Sequence, residues 1–418
     1  MNTQYFRLHP FCYLVSEISN NCLYDTYSGR MIELTSQNTI IIKKYESNQP
    51  VESQDMDFLN ELVAFNVGGF YKNPPFIEPF INDYKQLKDT MFPNNFYLAR
   101  MFISLTGECN YNCIFCSKDD PLYRKTGCKR WPLSAEKSLE KEDWYNQIKS
   151  FKKLGGQEIH FIGGEPLLKK ELLIDLISYS ELIDINQFVI YTNGSLIDQE
   201  LLAFFEEHHV KVKLQLFSLT EEANKRFCGT ETEKSNYIQL IDNLLLHGLN
   251  VQLVILVSKY NENDIETMIE LLNKQYSNKI KVSLEFIYPK PANLHYSIKW
   301  KEYMYNRNLS FGKVSAEKVK HLKSHNECLY GQIAVTETGD VLPCPMMRDL
   351  PLGNVKLSSL IHILNNSEYE KYAETSKNDI EKCSSCSFRY NCSDCRALER
   401  SAQNRFESLE YCLMEVIE

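Results

Sequence analysis

Three cysteines stand on one short stretch, Cys109-Asn110-Tyr111-Asn112-Cys113-Ile114-Phe115-Cys116. Thiolates at a C-x3-C-x2-C spacing can wrap one metal centre, and three ligands to a four-iron cube leave one iron without a protein ligand. A vacant iron is a place for chemistry. The same triplet is compatible with a zinc knob or with three buried free thiols, although a structural zinc site calls for four closed ligands. Seven further cysteines follow residue 320: Cys328, Cys344, Cys383, Cys386, Cys392, Cys395 and Cys412. At these intervals they could build two zinc ribbons or hold iron–sulfur clusters. Cys12, Cys22, Cys128 and Cys228 stand apart, and the last two read as structural thiols. A second feature lies one βα unit past the triplet, where Ile159-His160-Phe161-Ile162 runs into Gly163-Gly164-Glu165-Pro166. Glycines there let the backbone come close to a ligand, and Glu165 offers an acceptor to an ammonium.

The elements that must position these groups follow from periodicity. From residue 99 to about 288, apolar strands alternate with amphipathic helices. Strands are expected at Met101 to Leu105, Glu158 to Ile162, Phe188 to Thr192, Val212 to Leu216, Val251 to Val257 and Val282 to Tyr288. Helices are expected at Lys141 to Lys153, Lys170 to Ser180, Asp198 to Glu207, Ser235 to His247 and Glu262 to Lys274. Repeated βα units predict a parallel sheet or partial barrel with its active groups at the carboxyl ends of the strands. Ahead of it, Phe11 to Val15, Cys22 to Tyr24 and Met31 to Leu34 alternate with turn signals and predict a three-stranded antiparallel meander. Ser36 is a candidate N-cap for a helix through Lys44, and Ser53 opens a second from Met56 to about Phe65. The remainder from about Leu309 is loop-rich and cysteine-dense, so metal is expected to substitute for apolar burial there.

Composition narrows the function classes. The chain has 418 residues, 43% hydrophobic and 24% charged, and a net charge of -9 from 46 Lys and Arg against 55 Asp and Glu. That balance argues against nonspecific binding to nucleic acid. Apolar runs such as Leu253 to Val257 are far shorter than the ~20 residues of a membrane span, and no secretory signal is visible at Met1 to Arg7, so a cytoplasmic protein with no membrane partner is expected. In a reducing compartment fourteen cysteines read as ligands or catalytic groups rather than a disulfide framework.

The triplet Cys109, Cys113 and Cys116, with Phe115 before the last cysteine, resembles the cluster loop of radical S-adenosylmethionine (SAM) enzymes, and Gly163-Gly164-Glu165-Pro166 resembles their GGEP motif. Tyr191-Thr192-Asn193-Gly194 looks like the strand end beside the SAM site. The later cysteines resemble the SPASM extension, with C-x2-C at Cys392 and Cys395 where many members have C-x3-C. By this resemblance the chain is α/β: a partial (β/α)6 TIM-like barrel over 96–305, an N-terminal winged-helix-like α+β domain over 1–88, and a cysteine-rich SPASM domain over 306–418.

The resemblance also implies cofactors and roles. It implies three 4Fe-4S clusters and SAM, with Cys109, Cys113 and Cys116 on the SAM-binding cluster. Cys383, Cys386, Cys392 and Cys412 would hold the outer auxiliary cluster, and Cys328, Cys344 and Cys395 the inner one. His325, a carboxylate, water or substrate would complete the inner site. Gly163, Gly164, Glu165, Pro166 and Asn193 would contact SAM; Gln215, where many relatives have serine, Ser218 and Arg226 would face ribose or carboxylate, and Val254 the adenine.

The activity implied is reductive cleavage of SAM to a 5'-deoxyadenosyl radical that attacks a peptide carbon. The front domain resembles the leader-recognition (RRE-like) element of maturases of ribosomally made peptides, which bind a leader as an added strand. A precursor peptide with its leader, and a flavodoxin or ferredoxin as electron donor, are the expected partners. A cysteine thioether is the expected product. Carbon-carbon or carbon-oxygen crosslinking, Cys or Ser oxidation of the sulfatase-maturing type, and a noncatalytic metal-binding docking module are the alternatives. No catalytic acid or base is legible; His160, Asp119 and Asp120 lie near the expected mouth, where solvation explains them equally well.

Overall fold

In the computed structural model the described residues are 3–17, 21–81, 98–116, 129–132, 134–229, 237–258, 261–287, 313–392 and 394–412. They cluster into two units. One comprises residues 1–93, 303–327 and 374–394, the other 94–302, 328–373 and 395–418.

The first unit starts with strand β1 (Tyr5–Leu8), then the meander β2 (Cys12–Ser16), β3 (Asn21–Asp25) and β4 (Arg30–Leu34), helices α1 (Ser36–Glu46) and α2 (Met56–Ala64), and strand β5 (Gly68–Tyr71). The three-stranded meander is antiparallel, in the order β2-β3-β4. Strand β1 pairs antiparallel with β5 in a two-stranded ribbon that propensity did not reveal. Thr35, not Ser36, caps α1: its side chain accepts from the Asn38 backbone N–H at 3.1 Å. Either hydroxyl suits the position, and the extended backbone at Thr35 decides it.

Every residue of β3 is buried. Leu23 joins the helices' apolar core with Phe6, Leu8, Ile42, Tyr45 and Leu59. On the opposite face the Tyr24 hydroxyl donates to the Ser387 carbonyl at 2.5 Å, and Cys22 Sγ lies 3.2 Å from Ser387 Oγ. Tyr24 packs edgewise against Tyr390, and Tyr13 packs against the same ring at a tilt. Arg389 binds Glu17 at 2.7 Å. A strand covered on both faces reads as continuously apolar in place of the usual alternation, and Cys22-Leu23-Tyr24 is such a run.

The second unit is built on a sheet whose first six strands, β6 (Arg100–Ser104), β7 (Glu158–Ile162), β8 (Gln187–Thr192), β9 (Lys211–Leu216), β10 (Val251–Val257) and β11 (Lys281–Phe286), lie side by side in chain order and all parallel. Helices α3 (Lys141–Lys153), α4 (Lys170–Leu182), α5 (Gln199–Glu207), α6 (Glu221–Cys228), α7 (Tyr237–Leu246) and α8 (Ile265–Tyr276) alternate with the later strands. This is the parallel sheet of a partial barrel.

Register separates two faces. Met101, Ile103, Ile159, Phe161, Ile190, Val212, Leu214, Leu253 and Ile255 are fully buried on one. Arg100, Phe102, Glu158, His160, Tyr191, Lys213, Gln215 and Val254 share the other, which lines the lumen.

Strand β12 (Gln332–Val335) adds parallel to β6, and β13 (Asp340–Leu342) and β14 (Gly353–Asn354) continue antiparallel, giving nine strands. The cysteine-rich segment thus extends the same sheet. It also has an apolar core: Leu329, Met347, Tyr372, Ala397 and Phe406 are buried around Cys344. Metal is therefore not the sole substitute for burial there.

At the turn after β12, Glu337 pairs with Arg348 at 3.1 Å, and Arg348 Nη2 donates to Ser104 Oγ at 2.6 Å. The Arg348 guanidinium also lies over Trp131, 4.8 Å from the ring centroid. This pair clamps the β12 turn to the end of β6. Arg348→Met strands the Glu337 carboxylate, so a loss of about 3 kcal/mol in urea unfolding is expected.

Candidate active site

The loop after β6 carries Cys109, Cys113 and Cys116 against the ends of β7 and β8. Two glycines permit the approach. A β-carbon on Gly164 would fall 1.9 Å from the Glu108 carbonyl oxygen, and one on Gly163, at φ +151°, would fall 2.3 Å from that of Thr106. The Gly164 N–H donates to the Thr106 carbonyl at 2.8 Å, and the Glu165 N–H to that of Glu108 at 2.7 Å. Farther along, the Asn112 and Ile114 N–H groups donate to the Cys228 and Phe227 carbonyls at 2.8 and 3.0 Å. The loop is held at both ends, and Cys228 serves it structurally through its backbone.

Cys109, Cys113 and Cys116 line a pocket with Gly164, Glu165, Asn193, Gln215, Tyr111, Phe115, Phe217, Lys129 and Arg130. Backbone N–H groups of Tyr111 and Arg130 donate to the Cys109 and Cys116 sulfurs at 3.4 and 3.2 Å, as suits thiolates. Burial nevertheless pushes the Cys109 thiol up to about 12, so its sulfur keeps a proton unless a metal centre replaces it. Three thiols that share one pocket with a glycine and a buried carboxylate fit a cube held at three corners and a small ligand bound through its fourth. Val254 joins Tyr111, Phe217, Phe227 and Cys228 in an apolar floor under Cys109 and Cys113.

Glu165 is fully buried, and its carboxylate accepts from Leu167 N–H (3.1 Å), Thr192 Oγ1 (2.7 Å) and Asn193 N–H (2.8 Å). Desolvation outweighs these three donors and raises its pKa to about 7; an ammonium set beside it would lower that pKa again, favour the ionised carboxylate and complete an ion pair. Pro166 opens the 3-10 turn that follows. The Asn193 side chain donates to Asn110 Oδ1 at 2.9 Å and accepts from Ser195, bracing the cysteine loop from inside the pocket.

Of the other expected SAM contacts, Gly163, Pro166, Val254, Ser218 and Arg226 do not line this pocket. Ser218 pairs with Asn224 and Thr220 at the start of α6 and is not on the pocket wall. Arg226 is exposed on α6 and also absent from that wall. His160, read as a group near the mouth, is 4% exposed inside the lumen. Asp119, Asp120 and Cys128 lie outside the described residues. Lys129, Arg130, Tyr111 and Phe217 line the pocket although no motif marks them. The Arg130 guanidinium donates to the Cys116 carbonyl at 3.1 Å.

Of the later cysteines, Cys383, Cys386 and Cys392 sit in the first unit on the turns around 381–392, where the Cys386 N–H donates to the Cys383 carbonyl at 3.0 Å. Cys328, Cys344, Cys395 and Cys412 belong to the second unit. There Cys344 and Cys395 share one apolar cluster, and burial pushes the Cys344 thiol up to about 12. His325 lies in the first unit, stacked on His321 at 4.8 Å.

Residues 103–272 match the Radical SAM superfamily and residues 327–387 an iron-sulfur cluster-binding domain, SPASM. The chain carries a radical SAM domain followed by a SPASM domain. With them come a SAM-binding 4Fe-4S cluster and auxiliary clusters.

The GTP 3',8-cyclase of Aquifex aeolicus is 25% identical over 44% of this chain and 54% of its own. The chain thus spans between half and two thirds of the curated cyclases that it matches first. The PqqA peptide cyclase of Gluconobacter oxydans is 23% identical over 68% of this chain and 82% of its own. Streptococcus suis SuiB, solved bound to precursor peptide SuiA, has the same fold at TM-score 0.56, with 16% identity, over 99% of this chain and 98% of that one. Among the described residues no helix is long and apolar enough to cross a membrane.

Proposed function

We propose that the chain is a radical SAM maturase that installs a crosslink, a cysteine thioether, in a ribosomally synthesised precursor peptide. The observation that carries this reading is the pocket that joins Cys109, Cys113 and Cys116 to Glu165, in a chain whose likeness to SuiB runs through the front segment as well. When bound, the cluster and SAM supply a one-electron cleavage able to remove a hydrogen atom from an unactivated carbon. Cys109, Cys113 and Cys116 hold the cluster, Glu165 receives the SAM ammonium, and Val254 and Phe217 give apolar contact to the nucleoside.

The front meander serves as leader reader. Among the described residues β2 and β4 pair on one side only, so each offers a free edge to an added strand. Leader binding holds the rest of the peptide on the enzyme, so its core residues meet the radical without a second encounter. A flavodoxin or ferredoxin supplies the electron.

The test is anaerobic incubation of the reconstituted protein with a short peptide encoded beside it. Mass spectrometry should find 5'-deoxyadenosine and a peptide lighter by one pair of hydrogens, with that cysteine no longer alkylated. An unchanged peptide, with all clusters assembled, refutes the reading. Glu165→Gln should weaken SAM binding about ten- to a hundredfold by calorimetry, the worth of one charge-assisted hydrogen bond.

A further inference from the structure

The lumen carries a polar layer that the cysteine pocket does not use. Tyr191 and Lys213 are register partners on β8 and β9, with Lys213 Nζ donating to the Tyr191 hydroxyl at 2.8 Å. That hydroxyl lies 3.4 Å from Nδ1 of His160. His160 Nε2 approaches Glu158 Oε1 at 3.0 Å but out of line, so this buried ring nitrogen keeps no hydrogen-bond partner. Two residues beyond Tyr191 and Lys213 on the same strands stand Asn193 and Gln215, both on the pocket wall. At about 3.3 Å per residue the pair lies roughly 7 Å beneath the pocket. An incompletely satisfied polar chain at that depth costs stability, while the helix-facing side of the same strands is apolar except for Thr192, whose hydroxyl donates to Glu165.

Resting on the function proposed above, the geometry points to Lys213 as the proton acceptor of crosslinking, steered by Tyr191 and backed by His160. Joining a peptide carbon to a thiol breaks a C–H and an S–H bond and forms one C–S bond. The hydrogen atom leaves with the nucleoside, one electron passes to an oxidised iron–sulfur cluster, and the thiol proton needs a base.

Among the described residues the charged and titratable groups around Lys213 are Lys211 on its own strand, Arg100 on β6, Glu158 and His160 on β7, Tyr191 on β8 and Glu285 on β11, while β10 presents the uncharged Gln252. Burial lowers Lys213 to about 8, with Lys211 and Arg100 adding to it, and burial lowers His160 to about 4. Near neutral pH the imidazole is thus uncharged, and the amine sheds its proton just above. That is the strength a general base needs.

The experiment follows crosslink formation from pH 6 to 9.5 with the reconstituted enzyme and its neighbouring-frame peptide. Wild type should show a rise with an inflection near 8. Lys213→Met should lose that inflection and slow crosslinking about a hundredfold, and Tyr191→Phe should shift it. Equal rates and profiles for wild type and Lys213→Met overturn the relay alone. A wild type that leaves the peptide unmodified overturns the proposed function, and the relay with it. Because Lys213→Met removes a buried stem, a measurement on wild type stands beside it: pH-dependent acetylation of Lys213, read by mass spectrometry in the reconstituted protein without peptide. Half-maximal reactivity near 8 supports the base; a value at the ordinary lysine range of about 10.4 refutes it.

Discussion

Replacing Cys109, Cys113 and Cys116 together by alanine is expected to abolish 5'-deoxyadenosine formation, by at least about ten-thousandfold, while the chain still folds. The three sulfurs line the wall where an iron–sulfur cube would sit, and without them no electron reaches SAM. The loop itself has other anchors: the Asn112 and Ile114 N–H groups hold Cys228 and Phe227, and the Trp131 N–H holds the Gly107 carbonyl at 3.1 Å. Circular dichroism should therefore be unchanged, and iron analysis should fall by one cluster's worth against the wild type. Retention of full iron and activity would place the SAM-binding cluster elsewhere.

Gly164→Ala should act on the same site without touching a ligand. Its new methyl would lie 1.9 Å from the Glu108 carbonyl oxygen and 2.9 Å from the Cys109 nitrogen, both backbone atoms that cannot rotate away. Either the cysteine loop or the end of β7 must shift. Overpacking of this kind costs about 1–3 kcal/mol in unfolding. The larger effect falls on the reaction, since a displacement near 1 Å costs on the order of a hundredfold in rate. Unfolding in urea and SAM cleavage, measured on one preparation, separate the two. An unimpaired Gly164→Ala would mean that the loop is held less closely than the hydrogen bonds from Gly164 and Glu165 imply.

The contrast between these two variants marks what can be read without coordinates. Cysteine spacing is a chemical pattern along the chain, and it survives in a string of letters. The role of Gly164 is a close approach between segments more than fifty positions apart. Its neighbour Glu165 was legible as an acceptor for an ammonium. That it also pins Thr192 and Asn193, fully buried, was not.

Strand and helix positions in the barrel were legible because each strand is a short apolar run and each helix has a repeating apolar face. Strand Glu158–Ile162 and helix Lys141–Lys153 are found where periodicity puts them. Strand β12, Gln332–Val335, was not expected, since four residues in a loop-rich stretch show no period of their own, and it is pairing to β6 that makes them a strand. For Ser218, after a strand, and Arg226, on the next helix, the resemblance implies a ribose or carboxylate contact from their place along the chain. Position along the chain does not say which way a side chain turns, and theirs turn to a helix start and to solvent.

By itself the sequence determined the kinds of chemistry available: thiols in a spacing that wraps a metal centre, a glycine pair ahead of a carboxylate, and a run of alternating strands and helices to carry them. Local periodicity and residue type are properties of neighbours in the chain. Tertiary structure alone decided that Asn193 braces the cysteine loop, that Lys129 and Arg130 reach the pocket, and that His160, Tyr191 and Lys213 form one layer inside the lumen. Those facts depend on strand register and on which face of the sheet meets helices. Register is settled by burying all the apolar faces at once, a sum over the whole unit that no single segment contains.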